Sequence, residues 1–221
     1  GVKQHAVHIK YHTLHGSFLR FLRLFLFFQL RHLRPQTGHC GFQHGDVLHG
    51  QIRNVDLIQI LHTPFLDRLM CFVTKLGNAG AIWILAAAIL LLIPKTRKTG
   101  AVVVVALLID AILCNGILKP FIARIRPCDI NPEISLLIPK PDDFSFPSGH
   151  TAAAFTTAAA LYFTREKNLW KPALVLAVLI AFSRLYLYVH YPTDVLGGIA
   201  VGVLAGYAGW RIINPTSDPH P

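Results

Sequence analysis

Residues 183–194 read Ser183-Arg184-Leu185-Tyr186-Leu187-Tyr188-Val189-His190-Tyr191-Pro192-Thr193-Asp194 and join two strongly apolar segments. A cation, an imidazole and a carboxylate therefore stand within twelve residues at the edge of an apolar run. Exposing an ionisable group to lipid is costly, so such groups at membrane depth mark function by default. Two earlier stretches are built to meet them. One is residues 119–127, with Lys119, Arg124 and Arg126 ahead of Pro127; the other is Pro147-Ser148-Gly149-His150.

The composition sets the frame. Of 221 residues, 53% are hydrophobic and 14% charged, with mean hydropathy +0.47. A soluble domain carries about a quarter charged residues, so water-facing surface is scarce here. The expected fold is all-α, a polytopic membrane helix bundle. Five windows approach the roughly 20 apolar residues that cross a bilayer: 79–93, 101–122, 148–164, 170–189 and 192–213. A sixth candidate, 17–30, is short and interrupted by Arg20 and Arg23. The third window is rich in Ala and Thr, and the fifth carries Gly197, Gly198, Gly202 and Gly206, small residues of the kind that pack helices closely in lipid.

The net charge of +10 invites a nucleic-acid partner, but few cations lie in soluble segments and no nucleic-acid-binding signature accompanies them. Excess Lys and Arg is what membrane proteins use to fix orientation. The expected partners are the bilayer and a membrane lipid, and the oligomeric state is left open. Cys40, Cys71, Cys114 and Cys128 show no C-x-x-C spacing, so neither a metal site nor a disulfide framework is expected.

Three regions follow. Residues 1–54 are basic and hold eight of the 12 histidines, without a metal-site period. They read either as a basic interfacial helix or as a disordered arm. The first residue is Gly1 and the only methionine is Met70; the natural start is expected near Val55, after a translated upstream stretch. Peptides from residues 1–50 in the cellular protein would sink that expectation. Residues 55–213 form the membrane domain, beginning with a broken amphipathic helix over 55–73 interrupted at Pro64, and 214–221 are a polar tail.

Lys95, Arg97, Lys98, Arg165, Lys167 and Arg211 fall on one side of the five spans, which the positive-inside rule makes cytoplasmic. The three polar stretches then share the opposite face. His150 and His190 lie 40 positions apart, room for about two crossings of roughly 20 residues each. Asp110, inside the second span, is read as packing through a hydrogen bond to a neighbouring helix rather than as a proton relay.

Each polar stretch has a bland reading beside a chemical one. Lys119, Arg124 and Arg126 serve either as snorkelling interfacial cations or as an anion site. Arg126, held extended by Pro127, suits a bidentate oxyanion clamp. Ser148 is a ready N-cap, yet a helix start with Gly149 is also an anion cradle, with His150 beside whatever binds. Asp194 suits the first turn of a helix initiated at Pro192. It also pairs naturally with His190, leaving one ring nitrogen free as a nucleophile. Lys119, Arg126, Arg184, Ser148 and the Gly149 amide together suit phosphoryl oxygens. No acidic cage accompanies them, so protein groups rather than Mg²⁺ are expected to stabilise the charge, with no metal and no cofactor.

The order Lys119-x6-Arg126-Pro127, Pro147-Ser148-Gly149-His150 and Ser183-Arg184-x5-His190-x3-Asp194 resembles the three signature motifs of the type-2 phosphatidic-acid phosphatase family. That resemblance implies His190 as the nucleophile of a phosphohistidine, Asp194 orienting it, and His150 as the acid for the leaving oxygen. Lys119, Arg126, Ser148, Gly149 and Arg184 would bind the phosphoryl group. Implied is a membrane phosphatase of undecaprenyl pyrophosphate, phosphatidylglycerol phosphate or phosphatidic acid, in a bacterial cytoplasmic membrane with its site on the extracytoplasmic face. The alternatives are vanadate-dependent haloperoxidase chemistry, against which the apolar spans argue, and a non-catalytic lipid transporter, against which the intact His150, His190 and Asp194 argue.

Overall fold

The computed structural model describes residues 43–166 and 168–215, with side chains from residue 50 onward. The 17–30 candidate span and most of the His-rich arm lie outside these residues. Among the described residues every regular element is helical. Helix α1 (Gln43–Gln59) runs through the boundary expected at 54/55; its apolar positions are too sparse to announce a helix by periodicity. Helix α2 (Pro64–Leu76) begins where Pro64 predicts a break. Thr63 caps it by accepting from the Leu66 N–H at 3.3 Å, and Pro64 occupies the first turn, where its missing N–H is no loss.

A 3₁₀ turn, Asn78–Gly80, then bends the chain by 46° into α3 (Ala81–Leu92). The bend rests on two successive left-handed residues, Ala79 (φ 50°) and Gly80 (φ 68°). Helix α4 (Arg97–Asp110) passes into a π-helical stretch, Ala111–Leu118, and a short α5 (Lys119–Ile122). The long proline-bearing loop holds one further turn, α6 (Pro127–Ile130), before α7 (Gly149–Phe163), α8 (Trp170–Tyr186) and α9 (Pro192–Ile213). Helices α3, α7, α8 and α9 fall within four of the five windows expected to span, and the second window, 101–122, is filled by α4 from Ala101 onward, the π-helical stretch and α5, with α4 starting ahead of it at Arg97. Among the described residues two runs qualify as spans by length and apolar content, Arg97–Ile130 and Pro192–Ile213, or three if the bent pair α2–α3 counts as one. Helices α7 and α8, at 15 and 17 residues, are shorter than a full crossing of about 20.

Helix α9 is the axle. It packs most extensively on α7 and next on α4, through its glycines. A Cβ at Gly198 would lie 2.7 Å from the Ser148 carbonyl, and at Gly202 2.5 Å from that of Ala152. At Gly206 the Thr156 carbonyl is 2.8 Å away, and at Gly209 the Ala106 Cβ is equally near. Backbone-to-backbone contact of this kind is what small residues permit in lipid, where dispersion rather than hydrophobic exclusion holds helices together. Around that seam Trp83, Val102, Val103, Ala106, Leu161, Ile180 and Trp210 form the main apolar core.

Two of the expected features come out differently. Asp110 is 4% exposed, as a packed group should be, but its Oδ1 meets no hydrogen-bond partner among the described residues. Ser148 stands at the N-cap position of α7, but its hydroxyl does not cap: it accepts from the Thr151 hydroxyl at 3.0 Å.

Candidate active site

Two helix starts meet at one end of the bundle. The Ser148 N–H donates to the Asp194 carbonyl at 3.0 Å, locking the start of α7 against the start of α9. Both starts follow from local sequence: Gly149 and Pro192 open their helices, and Ser148 (ψ 108°) and Tyr191 (ψ 158°) are extended just before them. Between these starts lies a cavity of about 230 Å³, lined among others by Thr74, Asn78, Lys119, Arg126, Asp143, Gly149, His150, Arg184 and His190. Residues separated by more than a hundred positions thus converge on the stretch from which the sequence argument began.

His190 is 1% exposed. Its Nδ1 faces Asp194 Oδ2 at 3.5 Å and its Nε2 lies 3.2 Å from Arg126 Nη1. An arginine N–H can donate only to a bare ring nitrogen. The compatible tautomer carries its proton on Nδ1, toward the carboxylate, with the Nε2 lone pair toward the cavity. Burial pushes His190 down to about 3, helped by Arg126 and Arg184 and opposed by the Asp194 carboxylate, which at 3.5 Å is near enough to attract the Nδ1 proton but too far for a hydrogen bond. The imidazole is therefore neutral at ordinary pH.

Asp194 is saturated. Oδ2 accepts from the Ser145 hydroxyl at 2.5 Å and the Tyr191 N–H at 2.9 Å. Oδ1 accepts from Arg124 at 2.7 Å. The Tyr191 bond is a helix cap, so the bland and the chemical readings of Asp194 hold together.

The cations are buried to different purposes. Arg126 (2% exposed) is extended before Pro127, with φ −78° and ψ 156°, as the proline demands. Three of its bonds go to main-chain oxygens: Val189 at 2.7 Å, Asp143 at 2.8 Å and Phe144 at 3.3 Å. Its remaining direct carboxylate contact is Asp143 Oδ1 at 2.5 Å, and Lys119 Nζ binds the same carboxylate. Among the described residues Asp143 is the only carboxylate lining the cavity. Its burial raises its affinity for a proton, but the hydrogen bond from Lys119 and the charges of Lys119 and Arg126 outweigh this and hold it at about 2. Arg184 donates Nη1 to Thr74 Oγ1 at 2.5 Å, while its buried Nε has no partner among the described residues.

His150 comes from the first turn of α7 and meets Asn78 Oδ1 through Nε2 at 2.9 Å. The α2–α3 bend puts Asn78 there. Gly77 is equally tight against the same ring: a Cβ at Gly77 would stand 3.0 Å from the His150 Cδ2. Of the residues expected at the site, His190, His150, Lys119, Arg126, Gly149 and Arg184 line the cavity, and Asp194 stands directly behind His190. Ser148 is fully buried beside it and turns its hydroxyl to Thr151. Sequence reasoning missed Thr74, Asn78, Asp143 and Ser145. The one local signal was the Asn78-Ala79-Gly80 punctuation; the others are isolated polar residues whose significance is entirely spatial. Among the described residues no cluster of three metal-ligating side chains occurs. The arrangement can hold an anion between three buried cations and a helix start while presenting an unprotonated imidazole nitrogen to it.

Comparison with known proteins agrees with this geometry. The PAP2 superfamily profile matches residues 98–217. An undecaprenyl-diphosphatase of Sulfolobus acidocaldarius is 37% identical over 152 residues, covering 67% of this chain and 73% of that protein. Phosphatidylglycerophosphatase B of Bacillus subtilis is 34% identical over 157 residues, 66% and 74% of the two chains. The crystal structure of a transmembrane PAP2 type phosphatidylglycerolphosphate phosphatase from Bacillus subtilis superposes with TM-score 0.68 at 26% identity, covering 89% of this chain and 96% of that one.

Proposed function

The chain belongs to the PAP2 superfamily and is a membrane phosphatase of lipid phosphates, and from that premise we propose that His190 is its nucleophile, acting through a phosphohistidine without a metal. Nε2 attacks phosphorus as the bond to the lipid oxygen breaks. His150 gives that oxygen its proton, and Asp194 keeps the Nδ1 proton in place as positive charge develops on the ring. Water then attacks the phosphohistidine, its proton passing to His150, and phosphate leaves with both histidines restored. Lys119, Arg126, Arg184 and the Gly149 amide neutralise the phosphoryl oxygens, the entering group taking the place of the Asp143 carboxylate on Lys119 and Arg126.

The observation that carries this reading is the 3.2 Å approach of Arg126 Nη1 to His190 Nε2 on the wall of the cavity. It puts a phosphoryl-binding cation and a lone pair on the same point. The substrate is a lipid phosphate or pyrophosphate, with undecaprenyl pyrophosphate, phosphatidylglycerol phosphate and phosphatidic acid as the candidates. The five helices over 79–93, 101–122, 148–164, 170–189 and 192–213 are the spans. The site faces the extracytoplasmic side of a bacterial cytoplasmic membrane, a placement supported by the basic residues gathered at the other end of the bundle.

Phosphate release by the detergent-purified protein, with EDTA present and the three lipids compared, tests the proposal. EDTA-resistant release that disappears in His190→Ala supports it, and the order of rates names the substrate. Release from none of the three by folded protein that still binds them would turn the assignment toward a lipid transporter.

A further inference from the structure

Arg124 and Arg126 stand two residues apart in the non-helical segment between α5 and α6. An extended chain points alternate side chains the same way, so both guanidinium groups reach the His190–Asp194 pair, one at each end. Arg126 meets His190 Nε2, on the cavity side; Arg124 meets Asp194 Oδ1, on the far side. Ala123, at φ 48°, turns the chain out of α5 to place them.

Arg124 does not line the cavity, yet its side chain is only 19% exposed. Nη1 donates to Asp194 Oδ1 at 2.7 Å and Thr193 Oγ1 at 2.6 Å; Nη2 donates to Gln51 Oε1 at 2.8 Å. The Thr193 hydroxyl donates to the same Gln51 oxygen at 2.7 Å, and the guanidinium lies 4.0 Å over the Tyr191 ring. The Arg124 carbonyl accepts from the Ser145 N–H at 2.8 Å, and Ser145 in turn donates to Asp194 Oδ2. Both Asp194 oxygens are thus held by a frame that Arg124 closes. Gln51, on α1, lies upstream of residue 98, where the family match begins.

We propose that Arg124 is a positioning residue for the reaction: braced by Gln51, it pins the Asp194 carboxylate so that Oδ2 faces His190 Nδ1 and fixes the reactive tautomer. The proposal rests on His190 being the nucleophile. It assigns α1 a share in the chemistry without contact to the substrate. Lysine at position 124 restores the charge but not the fork that spans Asp194, Thr193 and Gln51.

The experiment compares Arg124→Gln, Arg124→Lys and Gln51→Ala with the wild type and His190→Ala, in detergent, by kcat, KM and the pH profile of kcat/KM. Misplacement of a catalytic group by about 1 Å costs up to about 10²-fold. Arg124→Gln should therefore lower kcat by about 10–10²-fold with KM nearly unchanged, since the cavity cations are untouched. Its acid limb should move to higher pH, because the Asp194 carboxylate loses the cation paired with it. Arg124→Lys should recover part of kcat and return the limb toward the wild-type position. Gln51→Ala should cost about two- to tenfold, because it removes the brace on Arg124 and Thr193 but leaves the Arg124–Asp194 contact itself in place. A lower melting temperature with kcat and the acid limb both unmoved would make Arg124 merely structural and overturn the inference. If His190→Ala is itself active, the reading beneath fails instead; if it is dead while Arg124→Gln is normal, only this inference falls.

Discussion

The two ends of the bundle carry cations in opposite ways. At the end where α7 and α9 begin, Lys119, Arg126 and Arg184 are 7%, 2% and 3% exposed and face a cavity of about 230 Å³. At the end where α7 finishes and α4 begins, Lys98 and Arg165 are exposed around a somewhat larger cavity of about 280 Å³ that also touches Trp210 and Asn214. Thr99 donates to Glu166 there at 2.8 Å, so the basic loops do share one end, as the charge pattern predicts. Neither cavity size nor the presence of cations distinguishes a site. The difference is desolvation. A buried cation held by protein dipoles interacts strongly with an incoming anion, whereas an exposed one is screened by water and salt. Only the first end adds an imidazole with a bare nitrogen.

Substitutions can break or sharpen that contrast. His190→Ala should have the largest effect, a loss of at least about 10³-fold in kcat, together with loss of any acid-labile ³²P label on the protein. His150→Asn should cost about 10²–10⁴-fold, and the deficit should shrink for a synthetic substrate with a good leaving group such as 4-nitrophenyl phosphate. An undiminished deficit would remove the acid role. Arg126→Lys keeps the charge but loses the bonds to Val189, Asp143 and Phe144; a fall of about 10²–10³-fold in kcat/KM is expected, as for a missing oxyanion donor. At the other end Lys98→Gln combined with Arg165→Gln should leave kcat within about twofold, since exposed charges contribute little. A loss comparable to Arg126→Lys would erase the distinction between the ends.

The pH dependence of stability has a definite sign. His190 titrates at about 3 in the folded protein, against 6.5 for an unperturbed histidine. Between those values the unfolded chain binds the extra proton, so stability falls as pH drops from 6.5 toward 3. Asp143, held at about 2 against 3.8, adds a loss in the same direction at still lower pH. Melting temperatures in detergent should decline on acidification, and His190→Gln should flatten the upper part of that decline.

Much of this was legible in the chain because the signals were local. Pro64, Pro127 and Pro192 restrict the residues around them, and each break or extended residue they imply is present. The order of three short polar motifs between apolar windows was enough to indicate both chemistry and topology. The Gly198, Gly202 and Gly206 series announced a close helix seam. Other features were beyond reach. Asp143 looks like any loop carboxylate until Lys119 and Arg126 are seen to close on it, and Asn78 looks like a turn residue until the bend carries it to His150. Ser148 accepts from the Thr151 hydroxyl, a contact between neighbours one turn apart that leaves its own O–H free to donate.

Residue types and their spacing alone pointed to an all-helical membrane protein with an anion site and to which histidines and cations to consider, because proline geometry, helix periodicity and desolvation costs act over a few residues; that the site is a phosphatase's came from the resemblance of its three motifs. The tertiary structure decided which nitrogen of His190 meets the cavity, which carboxylate occupies the cations at rest, and that Arg124 rather than a cavity residue holds Asp194. Those depend on distances between groups some 20 to 140 positions apart, which are set by how α5 and the loop after it close on the start of α9.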